Sequence, residues 1–249
     1  MYGIEADIER LLEEKYSGVK SLEFLKDVER LRDDEPLPYI LGYKDFLGVR
    51  VDLSCRPMIP RDETAFWVRR AIAELSAKDK GLRVHDAFSG SGCVGLAVLK
   101  NVPKAFVEIT EFDGKLLPGI EKTVNENNLD RGRVKIFEAD ALSGLSGEYD
   151  AIFANPPYIA HKYKDDLDID MIKYEPHLAF FAEEDGYFYQ KRVISEGASF
   201  LKEGGSLYIE TDSYQRENIV EIIKKSNSWG GYEFWPDPYE AEPFLVLRK

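Results

Sequence analysis

The sequence predicts an α/β fold: a doubly wound, mostly parallel sheet of seven strands, preceded by a short N-terminal helical arm and a β-hairpin. Three observations predict it. From residue 82 onward, segments of strand character alternate with segments of helical period, which implies parallel crossovers with helices on both faces. A glycine-rich turn joins the first of those strands to a helix, at the kind of place where open α/β sheets bind ligands. The 249 residues, 44% hydrophobic and 32% charged, suffice for one sizeable core and a small appendage.

The chain opens with apolar residues at Ile4, Ile8, Leu11 and Leu12, and again at Leu22, Leu25, Val28 and Leu31. Spacings of three and four predict two amphipathic helices broken at Ser17-Gly18. Pro36 and Pro38 are expected to end this arm. Tyr43 to Leu53 alternates around Gly48 as a hairpin does, and Met58 to Thr64 leads into a helix beginning near Asp62. Strands are expected at 82–87, 106–112, 134–139, 149–154, 206–211, 232–235 and 244–247, with helices at 93–100, 115–127, 187–202 and 214–225. The expected organisation is a helical arm over 1–35, a linker and hairpin over 36–60, and a wound domain over 61–249.

Charge and cysteine usage narrow the function. Lys plus Arg number 33 against 46 Asp plus Glu, a formal charge of −13. Such a surface repels a phosphate backbone, so direct nucleic-acid binding is not expected, and a basic protein partner or a cationic ligand suits it better. Cys55 and Cys93 lie far apart and outside any CxxC or Cys/His pattern, which points to free thiols and a cytoplasmic protein. His85 reads as a core or sheet-face residue, and His161 and His177 lack ligand spacing, so no metal is expected. No apolar run approaches the ~18 residues of a membrane span, and the first ten residues do not read as a leader.

The run Val84-His85-Asp86-Ala87-Phe88-Ser89-Gly90-Ser91-Gly92-Cys93-Val94-Gly95 sits where the first wound strand turns into a helix. Gly90 and Gly92 let the main chain pass close to a ligand, and Gly95 lets helix and strand pack tightly. Phe88, Ser89, Gly90, Ser91 and Gly92 are thus expected against a nucleoside, although such a turn also serves plain packing. Asp86 separates the candidate ligands. A dinucleotide would bring a pyrophosphate that an acid here repels, whereas the ammonium and sulfonium of S-adenosylmethionine call for carboxylates and carbonyls. Glu111 ends the next strand about 20 residues beyond the turn, where an acid accepts both ribose hydroxyls. Asp113 competes with it, and the spacing from Asp86 favours Glu111. Asp140, followed by Ala141, ends the third strand, either to reach the adenine amino group or as a surface acid.

The fourth strand runs into Asn155-Pro156-Pro157-Tyr158. Two prolines have fixed φ and donate to no ladder, so the strand exit is rigid. The Asn155 side-chain carbonyl and the Pro156 backbone carbonyl are two acceptors for one planar –NH2 group. Amide and aryl amine nitrogens are poor nucleophiles because their lone pair is delocalised. Acceptors that hold both hydrogens favour the charge that develops as the nitrogen attacks a methyl group. What remains is alignment of nitrogen, carbon and sulfur, with Tyr158 as a flat wall. These four residues could be a loop stop after a buried strand. Their order, behind a glycine turn and a strand-end acid, points instead to N-methylation of a planar nitrogen.

Further motifs occur in order: Glu35-Pro36-Leu37-Pro38-Tyr39-Ile40-Leu41-Gly42, Phe46-Leu47-Gly48, Ile59-Pro60-Arg61-Asp62-Glu63-Thr64, and Tyr174-Glu175-Pro176 followed by Ala179. With Asp86 to Gly92 and Asn155 to Tyr158, they make the sequence from roughly Arg30 to the C-terminus resemble the peptide chain release factor glutamine methyltransferases. The resemblance implies a Rossmann-like, class I S-adenosylmethionine-dependent enzyme. Its substrate would be the side-chain amide nitrogen (N5) of the glutamine in the Gly-Gly-Gln loop of class I release factors. Asn155 and Pro156 would hold that amide, Pro157 and Tyr158 would complete the catalytic motif, and Arg61, Glu63, Glu175 and Pro176 would line the substrate path. The family usually carries a larger N-terminal helical domain, against which this arm is short, and Asp62 stands where its motif has a second proline.

From the residues alone, Arg61 beside Asp62 and Glu63 suits a helix-start salt bridge as well as a site, and Glu175-Pro176 suits a rigid turn. Tyr187-Phe188-Tyr189 reads as helix packing, and Asp165 to Asp170 as a solvated loop. A monomer is expected. Two other functions stay open: methylation of an exocyclic amino group on a nucleic-acid base, and a non-catalytic adapter that keeps the cofactor fold.

Overall fold

The structure, a computed structural model, describes residues 3–78, 80–167, 169–236 and 244–249. Helix α1 (Ile4–Tyr16) stops at Ser17, in left-handed backbone with φ 50°, followed by Gly18. Helix α2 (Leu22–Arg32) opens on Ser21, whose hydroxyl accepts from the Phe24 N–H at 3.1 Å, a cap worth ~1 kcal/mol. Pro36 and Pro38 do not end the arm as expected. They open a third, short helix, α3 (Leu37–Leu41), because a residue without an N–H fits a helix's first turn. Leu11, Phe24, Val28, Leu31, Leu37 and Ile40 bury together as a cluster of the arm's own. Gly42 then leads into the hairpin of β1 (Tyr43–Phe46) and β2 (Val49–Asp52).

The wound region begins with α4 (Asp62–Ser76), β3 (Leu82–Ala87), α5 (Cys93–Asn101), β4 (Ala105–Glu111), α6 (Leu117–Glu126), β5 (Val134–Glu138) and β6 (Tyr149–Ala154). Two short strands, β7 (Ile159–Ala160) and β8 (Phe181–Ala182), flank α7 (Ile169–Tyr174). The chain ends with α8 (Phe188–Glu196), β9 (Leu201–Ile209), α9 (Arg216–Ser226), β10 (Gly231–Trp235) and β11 (Phe244–Arg248). The helix expected over 187–202 is shorter: α8 gives way to a 3-10 turn at Gly197–Phe200, and the next strand starts at Leu201. Gly197 packs against Leu207, which a Cβ would approach to 3.0 Å.

The described residues form a seven-stranded sheet in the order β10-β11-β9-β6-β3-β4-β5. Strands β9, β6, β3, β4 and β5 run parallel, and β11 is antiparallel to both β9 and β10. Alternation along β6 sends Ala151 and Phe153 to the face covered by α4, α5 and α6, where Trp67 stacks on Phe153 at 5.8 Å. Ile152 and Ala154 go to the face covered by α8 and α9. His85 is buried in the sheet as expected, with Nε2 3.2 Å from Thr110 Oγ1 and its pKa pushed down to about 3 by burial, so it stays neutral.

Register places the functional edge. Ala87 pairs with Ala154, and Ala154 with Ile209. Phe88, Asn155 and Glu210 therefore leave three neighbouring strands side by side. The chain fills the sheet from β3 outward to β5 and returns to β6 on the other side of β3, so this edge is the switch point where such sheets take ligands.

Candidate active site

Two cavities adjoin at this edge. The first, of about 220 Å³, is lined by Asp86, Phe88, Ser89, Gly90, Ser91, Glu111, Asp140, Ala141, Pro157 and Pro176. The second, of about 800 Å³, is lined by Glu63, Tyr158, Glu175 and Glu210, among others. Met58, Ile59, Pro60, Arg61, Asn155 and Ala179 line both, so Asn155 stands at the junction. Two expected residues line neither cavity. Pro156 is buried within the strand exit, and Gly92, at φ 76°, starts α5 where a Cβ would come within 2.8 Å of Ile120.

Two carboxylates of the first cavity, Asp86 and Glu111, form no ion pair among the described residues. Asp86 is buried, and its Oδ2 accepts from the Gly95 N–H at 2.7 Å. Burial pushes its pKa up to about 7 against that hydrogen bond, and the Glu111 charge adds to the rise. Gly95 is required here, since a Cβ would lie 2.8 Å from Ile109 and 2.9 Å from Asp86 Oδ2. Glu111 accepts from the Gly90 N–H at 2.7 Å and the Asp113 N–H at 2.9 Å, with its pKa also raised by burial. Asp113 lines the cavity as well, and its carboxylate caps the Lys115 N–H at 3.1 Å. Asp140 is aimed by Arg192 of α8, whose Nη1 donates to it at 2.7 Å.

The residues fit S-adenosylmethionine. Two buried, uncompensated acids and the Ser89 hydroxyl, buried with no hydrogen-bond partner among the described residues, match a ligand that brings positive charge and polar groups. Sequence reasoning missed part of the wall. Tyr189, expected only to pack its helix, lines the cavity and meets the Phe88 ring edge-on at 5.3 Å. Phe112, just past the strand-end acid, lines it too and is 57% exposed.

Around the second cavity, Tyr158 is clamped through its backbone. Gln215 Nε2 donates to the Tyr158 carbonyl at 3.0 Å, and Gln215 Oε1 in turn accepts from Gln190 Nε2 at 2.7 Å. Gly186, at φ 89°, lies so close that a Cβ would run into that carbonyl. The Tyr158 hydroxyl is 3.4 Å from Oε1 of Glu210, whose Oε2 accepts from Thr64 Oγ1 at 2.7 Å and Trp67 Nε1 at 2.9 Å. Glu210 and Gln215 left no signal in the sequence, because they reach the tetrapeptide only through the β6·β9 pairing and the turn that follows β9.

Arg61 does not make the helix-start salt bridge that its neighbours allowed. Lys44 pairs with Asp62 at 3.2 Å, and Arg61 reaches across to Glu175, Nη2 to Oε1 at 2.5 Å. Glu175 Oε2 accepts from the Ile59 N–H at 2.8 Å. The wall shared by the two cavities is thus tied to the segment after the tetrapeptide. That segment also reaches the arm, since Lys173 Nζ and the Tyr174 hydroxyl donate to the Asp33 carbonyl at 2.7 and 2.6 Å. Within the acidic stretch, His161–Asp166 is an exposed 3-10 turn, whereas Leu167 lines the second cavity. Residue 168 lies outside the described residues.

Known proteins resemble this chain in sequence and in fold. Residues 70–178 match the methyltransferase small domain family. Among solved structures, the hMettl16 catalytic domain in complex with the MAT2A 3′UTR hairpin 6 aligns with a TM-score of 0.64 at 16% identity. That alignment covers 90% of this chain and 80% of that one, a likeness of fold. Sheet order, glycine turn and tetrapeptide define a class I S-adenosylmethionine-dependent methyltransferase. Its curated relatives include the release factor glutamine methyltransferases of Bacteroides thetaiotaomicron (32% identical, over 84% of this chain and 74% of the relative) and Streptococcus pneumoniae (29%, over 86% and 75%). The chain belongs to the release factor glutamine methyltransferase family.

Proposed function

We propose that this protein methylates the side-chain amide nitrogen of the glutamine in the Gly-Gly-Gln loop of a class I release factor, using S-adenosylmethionine. The observation that carries the reading is the place of Asn155, where a cavity fitted to the cofactor meets one open to an acceptor. When bound, the cofactor supplies an electrophilic methyl group on a sulfonium. Asp86 faces its cationic end, Glu111 takes the ribose hydroxyls, Asp140 and Ala141 border the adenine, and Phe88 to Ser91 form the backbone cradle. The Asn155 side-chain carbonyl accepts from the amide –NH2, Pro156 and Pro157 stiffen the exit, and Tyr158 walls the planar group. Glu63 and Pro176 border the entering chain, while Arg61 and Glu175 fix its wall. We assign the arm, here including α3, and the hairpin to support of this site, and the domain from residue 61 to catalysis. The protein acts as a cytoplasmic monomer on a protein rather than a nucleic acid.

Mass spectrometry of a release factor incubated with protein and cofactor should show one added methyl group at the loop glutamine. Asn155→Ala should leave the cofactor bound and lower turnover by ~10²–10³, the scale for removing one fixed hydrogen-bonding group from a transition state. Retention of more than half the wild-type rate would rule out the acceptor role.

A further inference from the structure

Glu210 lines the acceptor cavity, and the proposed chemistry does not explain its presence there. Its side chain is buried and has no ion-pair partner among the described residues. Holding a carboxylate there is costly unless several donors surround it. Those donors come from separate parts of the chain. Thr64 and Trp67, on the first turns of α4, saturate Oε2. The other oxygen, Oε1, faces the Tyr158 hydroxyl, and the Glu210 N–H donates to the Ala154 carbonyl at 3.0 Å, directly before Asn155. One residue therefore grips the strand that delivers the tetrapeptide, the hydroxyl at the tetrapeptide's far end, and the helix behind both.

We infer that Glu210 is a positioning residue for methyl transfer, which sets the Tyr158 ring against the acceptor group through its hydroxyl. The inference rests on the release-factor reading only for the choice of substrate. A phenol held at one end cannot swing away from the planar group it walls, so the loss of either partner should slow the chemical step and leave cofactor binding alone. At 3.4 Å the contact is long, as such bonds are before a substrate tightens the site.

The test is a double-mutant cycle on the full chain, with Tyr158→Phe, Glu210→Gln and the double variant. The readouts are kcat and KM for a release factor and calorimetric Kd for S-adenosylmethionine. Glutamine keeps an oxygen for Thr64 and Trp67, so the fold is retained, and it replaces the oxygen facing the hydroxyl with an –NH2 that cannot accept the phenolic proton. Each single variant should lower kcat by about tenfold, and the double variant no further, because both remove the same interaction. Cofactor Kd should stay within about twofold of the wild type. Multiplied losses near a hundredfold, or an unchanged kcat in Glu210→Gln, would overturn the inference. If Glu210→Gln proves unstable, Tyr158→Phe decides alone: a loss of about tenfold in kcat with cofactor Kd unchanged supports the inference, and an unchanged kcat overturns it. A wild-type protein that methylates no release factor overturns the function and not the pairing, which the Tyr158 ring dynamics of the wild type and of Glu210→Gln would still report by NMR: faster ring flips in Glu210→Gln support it, and unchanged flips refute it.

Discussion

A carboxylate buried without a cation beside it holds its proton longer. Burial lifts the Asp86 pKa from 3.8 to about 7, and Glu111 moves the same way. An acid raised in the fold binds more protons folded than unfolded between those two values. Its stabilising contribution is complete below the unfolded pKa and is lost as pH rises through about 7. A cationic ligand reverses the preference, since it favours the ionised form and pulls the pKa down. S-adenosylmethionine should therefore bind more tightly as pH rises from roughly 5.5 to 8, with protons released on binding. Calorimetry in buffers of differing ionisation enthalpy measures that release, and a flat profile would remove Asp86 from the ligand's surroundings. Asp86→Asn should abolish the pH dependence and weaken binding by ~1–3 kcal/mol, the cost of a lost charge-assisted contact. Asp86 was legible in the sequence because it adjoins the glycines that betray the turn. Glu210 was not, because its donors lie 143 and 146 residues away and no local pattern announces them.

At the level of elements, the strands were the most readable part. The strand at 149–154 carries an apolar run and stops before Asn155-Pro156, and the one at 82–87 runs into the glycine turn. The pieces that went unread are short: α3, α7 and the β7–β8 pair, none longer than six residues. Elements of that length are not stable by propensity alone and form where tertiary neighbours hold them. The segment from 159 to 186 is held in this way, and Gly186 is its closing point. Gly186→Ala forces a side chain into left-handed backbone and against the Tyr158 carbonyl. It should cost ~1–3 kcal/mol of stability by denaturant unfolding, the range for strain and overpacking. Transfer should fall as Tyr158 shifts, while cofactor affinity holds. Wild-type stability in this variant would mean that the loop yields freely.

For the whole molecule, the governing quantity is the charge of −13. Charges this numerous attract a basic partner over distances comparable to the Debye length, ~10 Å at 0.1 M salt. Association with a release factor should slow as salt increases from about 0.05 to 0.5 M, with dissociation little changed. Stopped-flow mixing reads both rates, and a salt-independent on-rate would mean that shape alone guides the encounter. The expectation of that attraction comes from composition alone. What it could not reveal was the partition built from Met58 to Arg61, which has one side toward each chamber and is pinned by Glu175. Since both rooms open onto the same asparagine, a single inhibitor could occupy them together: a nucleoside joined through a short tether to a carboxamide, threaded past residue 155. Such a conjugate would gain from each half's grip at once, and loosening the Arg61 pin should hurt it more than either fragment alone.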